Sequence, residues 1–202
     1  MPLNNRTKNQ LEKLKPKIIS WLKENVTQKR FDHIVRVSKT AKKYAKKLKL
    51  DFYKAELAGW LHDCAKEMTN NQLLRFAKRK KIKMDKVDFI NPHVLHARVG
   101  AIIAKEKFGI RDSDVLGGIR CHTLAEPNMS KLVMLIYLAD ATEPGRDKKR
   151  IQPVIKTFKK EGLENAVLHA IDQKLSDVLE KGKVIHPFTI NARNWLIKRI
   201  KM

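Results

Sequence analysis

Apolar residues recur at helical spacing along almost the whole chain, and this pattern limits the fold more than any other feature. In the clearest stretch, His33, Val37, Ala41, Tyr44 and Leu48 follow one another at steps of four, four, three and four residues. Such spacing places them on one face of an amphipathic helix. No alternating strand pattern runs for more than a few residues. The sequence therefore predicts an all-α protein, folded as a helical bundle.

Capping and breaking residues divide this helical chain into successive helices. Thr69 and Gln72 form a capping-box pattern, and Gly109 follows Phe108 where a helix should stop. The other predicted boundaries are Asp51 as a cap, Pro92 as a helix start, Ser113 as the cap of a short helix over residues 115–121, Ser130 as a further cap, a break at Pro144 and Gly145, a late helix over residues 163–178, and a final helix after Pro187.

The length of 202 residues suits one compact unit. The longest strongly apolar run, residues 132–139, is far shorter than the roughly 20 residues of a membrane span. Residues 1–10 are polar and lack the apolar segment of a signal peptide. Cys64 and Cys121 form no Cys-x-x-Cys pair, which excludes a zinc ribbon and a disulfide scaffold. We expect a cytoplasmic protein in which a basic helical segment, residues 1–25, packs on a domain of residues 26–202.

The charge of the chain is strongly basic, with 44 Lys and Arg residues against 21 Asp and Glu residues and a formal net charge of +23. Such a balance raises the question of a nucleic-acid partner. Lysine greatly outnumbers arginine, however, whereas bidentate contacts to phosphates and guanine edges favour arginine. Lysines such as Lys39, Lys43 and Lys46 fit the solvated face of a helix. A solvated surface is therefore the favoured interpretation, and a polyanion-binding face is the alternative.

Four histidines and two aspartates point to chemistry. The helical pattern places His33, His62, His96 and His122 on apolar faces or at helix ends, together with Asp63 and Asp140. A buried carboxylate is costly unless it is paired or bound to a metal. Imidazole and carboxylate ligands suit Fe, Mn, Co or Zn, and such an ion can polarise a phosphoryl oxygen and activate water. The set predicts a metal-dependent hydrolase of phosphate compounds.

These residues and their neighbours resemble a known family. The pattern of His33, His62-Asp63 and Asp140 is similar to that of the HD-domain phosphohydrolases. The resemblance narrows to the YqeK family over residues 30–195 through Arg30-Phe-Asp-His33, Ala58-Gly-Trp-Leu-His62-Asp63-Cys-Ala-Lys66, Val99-Gly-Ala101, His122-Thr123, Tyr137-Leu-Ala-Asp140, Glu143-Pro-Gly-Arg146 and His186-Pro-Phe-Thr-Ile-Asn-Ala-Arg-Asn194. Members of that family are symmetrical bis(5'-nucleosyl)-tetraphosphatases, which cut diadenosine tetraphosphate into two ADP with an iron ion.

The resemblance implies a set of site residues. It implies that the metal ligands are His33, His62, Asp63 and Asp140. The implied catalytic residues are Asp63, Lys66, His96 and His122. The implied substrate-binding residues are His33, His96, His122, Asp140, Ala141, Arg146, Phe188, Thr189, Ile190, Asn191, Ala192 and Arg193. The metal would be iron, with manganese or cobalt as alternatives, and His96 and His122 could bind a second ion. One departure stands out, because Leu124 and Ala125 replace the Thr-Gly that usually follows the His-Thr pair.

We expect a metal-bound hydroxide to attack a β-phosphorus of the dinucleotide and release ADP. Two alternatives stay open: an HD-domain mononucleotide phosphatase or pyrophosphatase, and a non-catalytic basic RNA-binding protein. The expected partners are a dinucleoside polyphosphate as substrate and ADP as product, with a homodimer as a reasonable assembly. Neither a membrane nor a nucleic acid is the expected partner.

Overall fold

The computed structural model describes residues 5–202, which form eleven α-helices and no strand. The predicted all-α fold is confirmed. The helices are α1 (Asn5–Asn25), α2 (Gln28–Lys47), α3 (Phe52–Leu61), α4 (Asn70–Arg79), α5 (Lys86–Ile90), α6 (His96–Phe108), α7 (Ser113–Cys121), α8 (Lys131–Thr142), α9 (Lys148–Lys160), α10 (Leu163–Glu180) and α11 (Pro187–Lys201), with a 3-10 turn at Pro92–Leu95 before α6.

Most helix ends lie where capping residues predict them. Asp51 caps α3, Thr69 forms a complete capping box with Gln72 at the start of α4, and Ser130 caps α8. Gly109 ends α6 with a φ of 67°, a left-handed conformation that glycine adopts at little cost. The predicted cap of α7 was wrong by one residue. Asp112 accepts hydrogen bonds from the backbone N–H groups of Asp114 and Val115, and Ser113 is the first helical residue.

The bundle is centred on α8, which is apolar on nearly all its faces. Met134, Leu135 and Ile136 are fully buried, and the surrounding helices supply further core side chains such as Ile34 from α2 and Leu57 from α3. Complete burial explains the absence of an amphipathic stripe in this helix. The core therefore holds the end of α8, where Asp140 lies, in a fixed place among α2, α3, α7 and α10.

A close contact brings α2 and α3 together beside the core. A Cβ atom at Gly59 would lie only 2.6 Å from the Cα of Ser38, so glycine is required for this approach. His33 lies on α2 and His62 directly follows α3. The tight packing of the two helices therefore sets the spacing of these histidines.

A second, smaller core supports the start of α6. It consists of Ala65, Leu73, Ala77, Leu95 and Val99, contributed by the chain after α3, by α4, by the 3-10 turn and by α6. This cluster packs against the segment that carries His96. Its function in the fold is to hold that histidine against the main bundle.

The N-terminal helix α1 packs on the rest of the bundle. Leu11, Ile18 and Leu22 are buried in the main core, and Lys15 lies 2.7 Å from the buried carboxylate of Glu56. Residues 1–4, at the start of the predicted N-terminal segment, lie outside the described residues. Within residues 5–202, no helix combines the length and the apolar character needed to cross a membrane.

Candidate metal centre

Six side chains from separate parts of the bundle meet at one point. His33 comes from α2, His62 and Asp63 from the end of α3, His96 from the start of α6, His122 from the end of α7, and Asp140 from α8. Five of the six are buried, and the carboxylate of Asp140 is partly exposed. The structure thus brings together the histidines and aspartates that the sequence indicated.

Four donor atoms form the first half of this cluster. His33 Nε2 lies 3.1 Å from Asp140 Oδ1, 3.2 Å from His62 Nε2 and 3.5 Å from Asp63 Oδ2. Ligands about 2.1 Å from one ion lie roughly 3.0 to 3.4 Å apart at octahedral or tetrahedral angles. The distances from His62 Nε2 to Asp63 Oδ2 and to Asp140 Oδ1 are longer, at 3.6 Å and 3.9 Å. The four donors therefore converge on one point, with His33 at ligand spacing from two of the other three.

The other oxygen of Asp63 faces the second half of the cluster. Asp63 Oδ1 lies 3.1 Å from His122 Nε2 and 3.2 Å from His96 Nε2, and the two imidazole nitrogens are 3.2 Å apart. Asp63 thus divides its two oxygens between the two sets of histidines. One carboxylate can contribute to both halves of the cluster.

The outer ring nitrogens explain why the inner ones face each other. His62, His96 and His122 each have Nδ1 against the backbone carbonyl three residues earlier, at Gly59 (2.7 Å), His93 (2.5 Å) and Ile119 (2.8 Å). A carbonyl accepts only, so Nδ1 carries the proton and Nε2 presents a lone pair to the centre. Three lone pairs and two carboxylates then face one another, an arrangement that a cation stabilises.

Glu143 orients the ring of His33, as the backbone carbonyls orient the other three histidines. Its Oε1 lies 3.1 Å from His33 Nδ1, and its Oε2 accepts from Arg36 Nε at 2.5 Å and from the backbone N–H of Gly145 at 2.6 Å. Burial alone would raise the pKa of Glu143, but the bonds from His33 and Arg36 lower it to about 2. A charged carboxylate behind a histidine is the usual outer support of a metal ligand.

The protonation of the cluster suits metal binding. Burial is the main cause that lowers the pKa of His62 to about 4 and that of His96 to about 3. Burial would raise the pKa of Asp63, yet His62, His122 and His96 bring it well below its usual value. His62 and His96 are therefore neutral near pH 7, whereas Asp63 and Asp140 are charged, and both conditions favour metal binding.

Cationic side chains surround the cluster. Arg30 Nη1 lies 2.7 Å from Asp63 Oδ2, and Arg146 Nη2 lies 2.6 Å from Asp140 Oδ1. Lys66 Nζ is 3.3 Å from His96 Nε2. These groups lie where they could neutralise the phosphates of a substrate bound at the centre.

Comparison with known proteins agrees with this arrangement. The HD-domain family matches residues 30–145, a range that contains all six residues of the cluster. A symmetrical bis(5'-nucleosyl)-tetraphosphatase from Halalkalibacterium halodurans is 36% identical over 90% of this chain and 96% of its own. The protein of the same description from Bacillus subtilis is 32% identical over 89% of this chain and 95% of its own.

The chain belongs to the YqeK family of HD-domain proteins. The fold leads to the same family: the crystal structure of a predicted HD superfamily hydrolase involved in NAD metabolism, from Clostridium acetobutylicum, superposes with a TM-score of 0.87. That protein is 38% identical, and the match covers 91% of this chain and 97% of the other. The predicted family and enzyme class are confirmed, and an HD domain implies a divalent metal.

Several residues to which the sequence analysis gave no role contact the clustered side chains of this HD domain. Glu143 and Arg36 support His33, and Arg30 contacts Asp63. Arg30 and Glu143 occur in the motifs of the resemblance, but their roles depend on contacts between distant parts of the chain. Thr123 is a further such residue, since its hydroxyl lies 2.9 Å from His96 Nε2 and 3.0 Å from His122 Nε2.

The segment at the start of α11 lies apart from the ligand cluster of the HD domain. Thr189 is buried and donates to the carbonyl of Leu124 at 2.8 Å, while Arg193 donates to Asp172 at 2.5 Å. Phe188 lies 5.7 Å from the guanidinium of Arg98. Ala192 is buried in the core, Ile190 is half-buried and Asn191 is exposed. The segment is thus attached to the loop that follows His122, and its predicted contact with nucleotide stays a prediction.

The loop after His122 has a left-handed residue at the position where the family resemblance implies glycine. Ala125 has a φ of 59° and is fully buried. A left-handed conformation costs an L-residue roughly 1–2 kcal/mol, whereas glycine adopts it freely. Ala125 therefore holds a backbone conformation that glycine would adopt at lower cost.

Proposed function

We propose that this protein hydrolyses diadenosine tetraphosphate symmetrically to two ADP. The observation that carries the proposal is the metal-ligand cluster with three cations around it, in a chain that aligns with symmetrical tetraphosphatases over about nine-tenths of its length. A tetraphosphate carries several negative charges, and Arg30, Lys66 and Arg146 lie where they would bind them.

We propose that His33, His62, Asp63 and Asp140 hold the metal. Their nitrogen and oxygen donors fit a first-row dication, and the convergence of their lone pairs supports this choice. The family resemblance favours iron, with manganese and cobalt as alternatives. When bound, such an ion polarises a phosphoryl oxygen and makes water more acidic.

The second half of the cluster has two candidate roles. Asp63 Oδ1, His96 and His122 offer three converging donors, enough to begin a second metal site. Alternatively, His96 and His122 face the phosphates directly. In either role these residues, with Asp63 and Lys66, lie against the reacting phosphate, where Lys66 would offset negative charge that develops there.

The remaining predicted residues would bind the substrate beyond the reacting phosphate. Ala141 and Arg146 line the cavity beside Asp140, which supports a contact with the nucleotide. Residues 188–193 would approach from α11 across the loop after His122. The division into residues 1–25 and 26–202, a homodimer and a cytoplasmic location are further expectations of the same proposal.

The decisive experiment is hydrolysis of diadenosine tetraphosphate by protein reconstituted without oxygen with Fe²⁺, and separately with Mn²⁺, Co²⁺ or Zn²⁺. Ion-exchange chromatography should show ADP as the sole nucleotide product. Asp63→Ala should abolish both activity and metal binding. Asp32→Ala, an exposed aspartate beside His33, is the matched control and should change neither. AMP and ATP as products would refute central cleavage, and full activity of Asp63→Ala would refute the assigned site.

A further inference from the structure

A cavity of about 300 Å³ lies beside the metal-ligand cluster, between α8, α9 and α10. His122 and Asp140 form one side of it. Three cations, Arg146, Arg150 and Lys174, contribute to the other sides. A molecule in this cavity would therefore contact the cluster and the cationic side chains at the same time.

Two of these three cations already have carboxylate partners. Arg146 pairs with Asp140 at 2.6 Å, and Arg150 pairs with Asp177. Lys174 is different, because its Nζ donates to the backbone carbonyl of Thr123. In the described part of the chain, no carboxylate oxygen lies within 4 Å of Lys174 Nζ.

The surroundings of Lys174 favour an anion. Its ammonium lies 5.8 Å from the centre of the Tyr137 ring and has one backbone acceptor, which leaves further N–H donors to be satisfied. Burial is the main cause that lowers the pKa of Lys174 to about 8; the repulsion of Lys66 and Arg146 adds to this shift, and the more distant charges of Asp140 and Asp63 oppose it. A phosphate oxygen would supply both the missing acceptor and a counter-charge in direct contact with the ammonium.

The position of Lys174 relates it to the reacting centre. Its acceptor, Thr123, is the residue whose hydroxyl lies within 3.0 Å of the inner nitrogens of His96 and His122. Lys66 contacts one of these histidines, His96, from the turn that follows α3, whereas Lys174 comes from α10. The two lysines thus approach the cluster from different parts of the bundle.

We propose that Lys174 binds the polyphosphate chain of the substrate, at a phosphate next to the one held by the metal-ligand cluster. This inference rests on the proposed function and adds a residue that selects substrates with several linked phosphates. A ligand with a single phosphate occupies the cluster without reaching Lys174, whereas a longer chain contacts both.

The test compares Lys174→Gln with Lys181→Gln, an exposed lysine at the end of the same helix, in the Mn²⁺-loaded protein. Two quantities are measured: the KM for diadenosine tetraphosphate, and the Kd for inorganic tripolyphosphate by calorimetry. Lys174→Gln should raise both at least tenfold with kcat changed less than threefold. Lys181→Gln should leave both unchanged, and Lys174→Arg should retain most of the affinity.

The outcomes separate this inference from the proposed function. Unchanged KM and Kd in Lys174→Gln would overturn the role of Lys174 while the hydrolase remains. The unaltered protein could also fail to hydrolyse diadenosine tetraphosphate. In that case, weaker tripolyphosphate binding by Lys174→Gln would support the phosphate site and refute the proposed substrate. Equal tripolyphosphate binding by Lys174→Gln and the unaltered protein would refute both. Should Lys174→Gln fold poorly in thermal unfolding, Lys174→Met repeats the test, because it keeps an unbranched apolar stem beside Tyr137.

Discussion

Replacing Gly59 with alanine should separate α2 from α3 and weaken the metal site. The new Cβ would lie 2.6 Å from Ser38 Cα and 3.1 Å from Ser38 N, both of them backbone atoms that cannot rotate away. Carbon atoms in comfortable contact lie about 3.5 Å apart. The two helices would therefore have to move apart by about 0.9 Å at this point.

The expected loss of stability is modest, because two effects oppose each other. Alanine gains about 1 kcal/mol of helix propensity over glycine. Overpacking of a close helix contact costs about 1–3 kcal/mol. The free energy of unfolding should fall by at most about 2 kcal/mol, which leaves the protein folded.

Metal binding should suffer more than stability. His33 Nε2 and His62 Nε2 are 3.2 Å apart across this contact. A shift of the helices would bring that separation to about 4 Å, beyond the roughly 3.0 to 3.4 Å of adjacent ligands on one ion. His62 Nε2 is already 3.9 Å from Asp140 Oδ1, so the change would leave it distant from His33 as well. We expect the affinity for Mn²⁺ or Co²⁺ to fall at least tenfold.

Calorimetric titration with Co²⁺ and unfolding in urea measure the two effects. Gly117→Ala is the control, since its Cβ would meet only the rotatable side chain of Val133, at 2.9 Å. That variant should bind metal normally. If Gly59→Ala binds metal as tightly as the unaltered protein does, the link between helix spacing and ligand geometry is refuted.

Three further predictions concern the outer support, the pH and a helix end. Glu143→Gln should lower metal affinity 10- to 100-fold in calorimetry while the fold is kept, because the charge behind His33 is lost; unchanged affinity would contradict that support. In metal-free folded protein the pKa values of His62 and His96 are lowered to about 4 and about 3, whereas both are near 6.5 in the unfolded chain. As the pH falls below 6.5, the unfolded chain therefore binds protons at these histidines and the folded protein does not. Stability should therefore drop between pH 7 and pH 5 by up to about 2 kcal/mol for each histidine, offset in part by His33, whose pKa is raised; a urea midpoint that does not fall would contradict this. Lys81→Gly should stabilise the exposed left-handed end of α4, φ 52°, by about 0.5–1 kcal/mol in urea unfolding, whereas Lys81→Ala should not.

The helices were predictable wherever local chemistry marks them. Asp51, Thr69 and Ser130 each cap the helix that the sequence assigned to them, because a cap is a contact with the next few backbone N–H groups. Helix α5 has only five residues, too few to show a period, and α9 contains Pro153 within a lysine-rich sequence. Neither helix was predicted, although Asp85 with Asp88 and Asp147 cap their starts.

The cluster of histidines and aspartates was predictable in its members but not in its surroundings, and their role as metal ligands stays a prediction. His33, His62, Asp63 and Asp140 occur in a recognisable pattern, and the structure brings them together. Contacts such as that of His33 with Glu143, 110 positions away, form only when helices pack. Lys174 belongs to the same class, since its acceptor lies 51 positions earlier in the chain. No local pattern marks such pairs.

The backbone carbonyls behind His62, His96 and His122 have a consequence for how the centre assembles. Each acceptor lies three residues before its histidine, so each ring is oriented by its own turn of chain rather than by its neighbours in the cluster. These three rings are therefore oriented before the helices dock, and docking only has to bring the oriented rings together. A metal ion arriving at the folded protein then meets ligands that need little reorganisation, and the rate of loading should be limited by access to the site rather than by rearrangement of the rings.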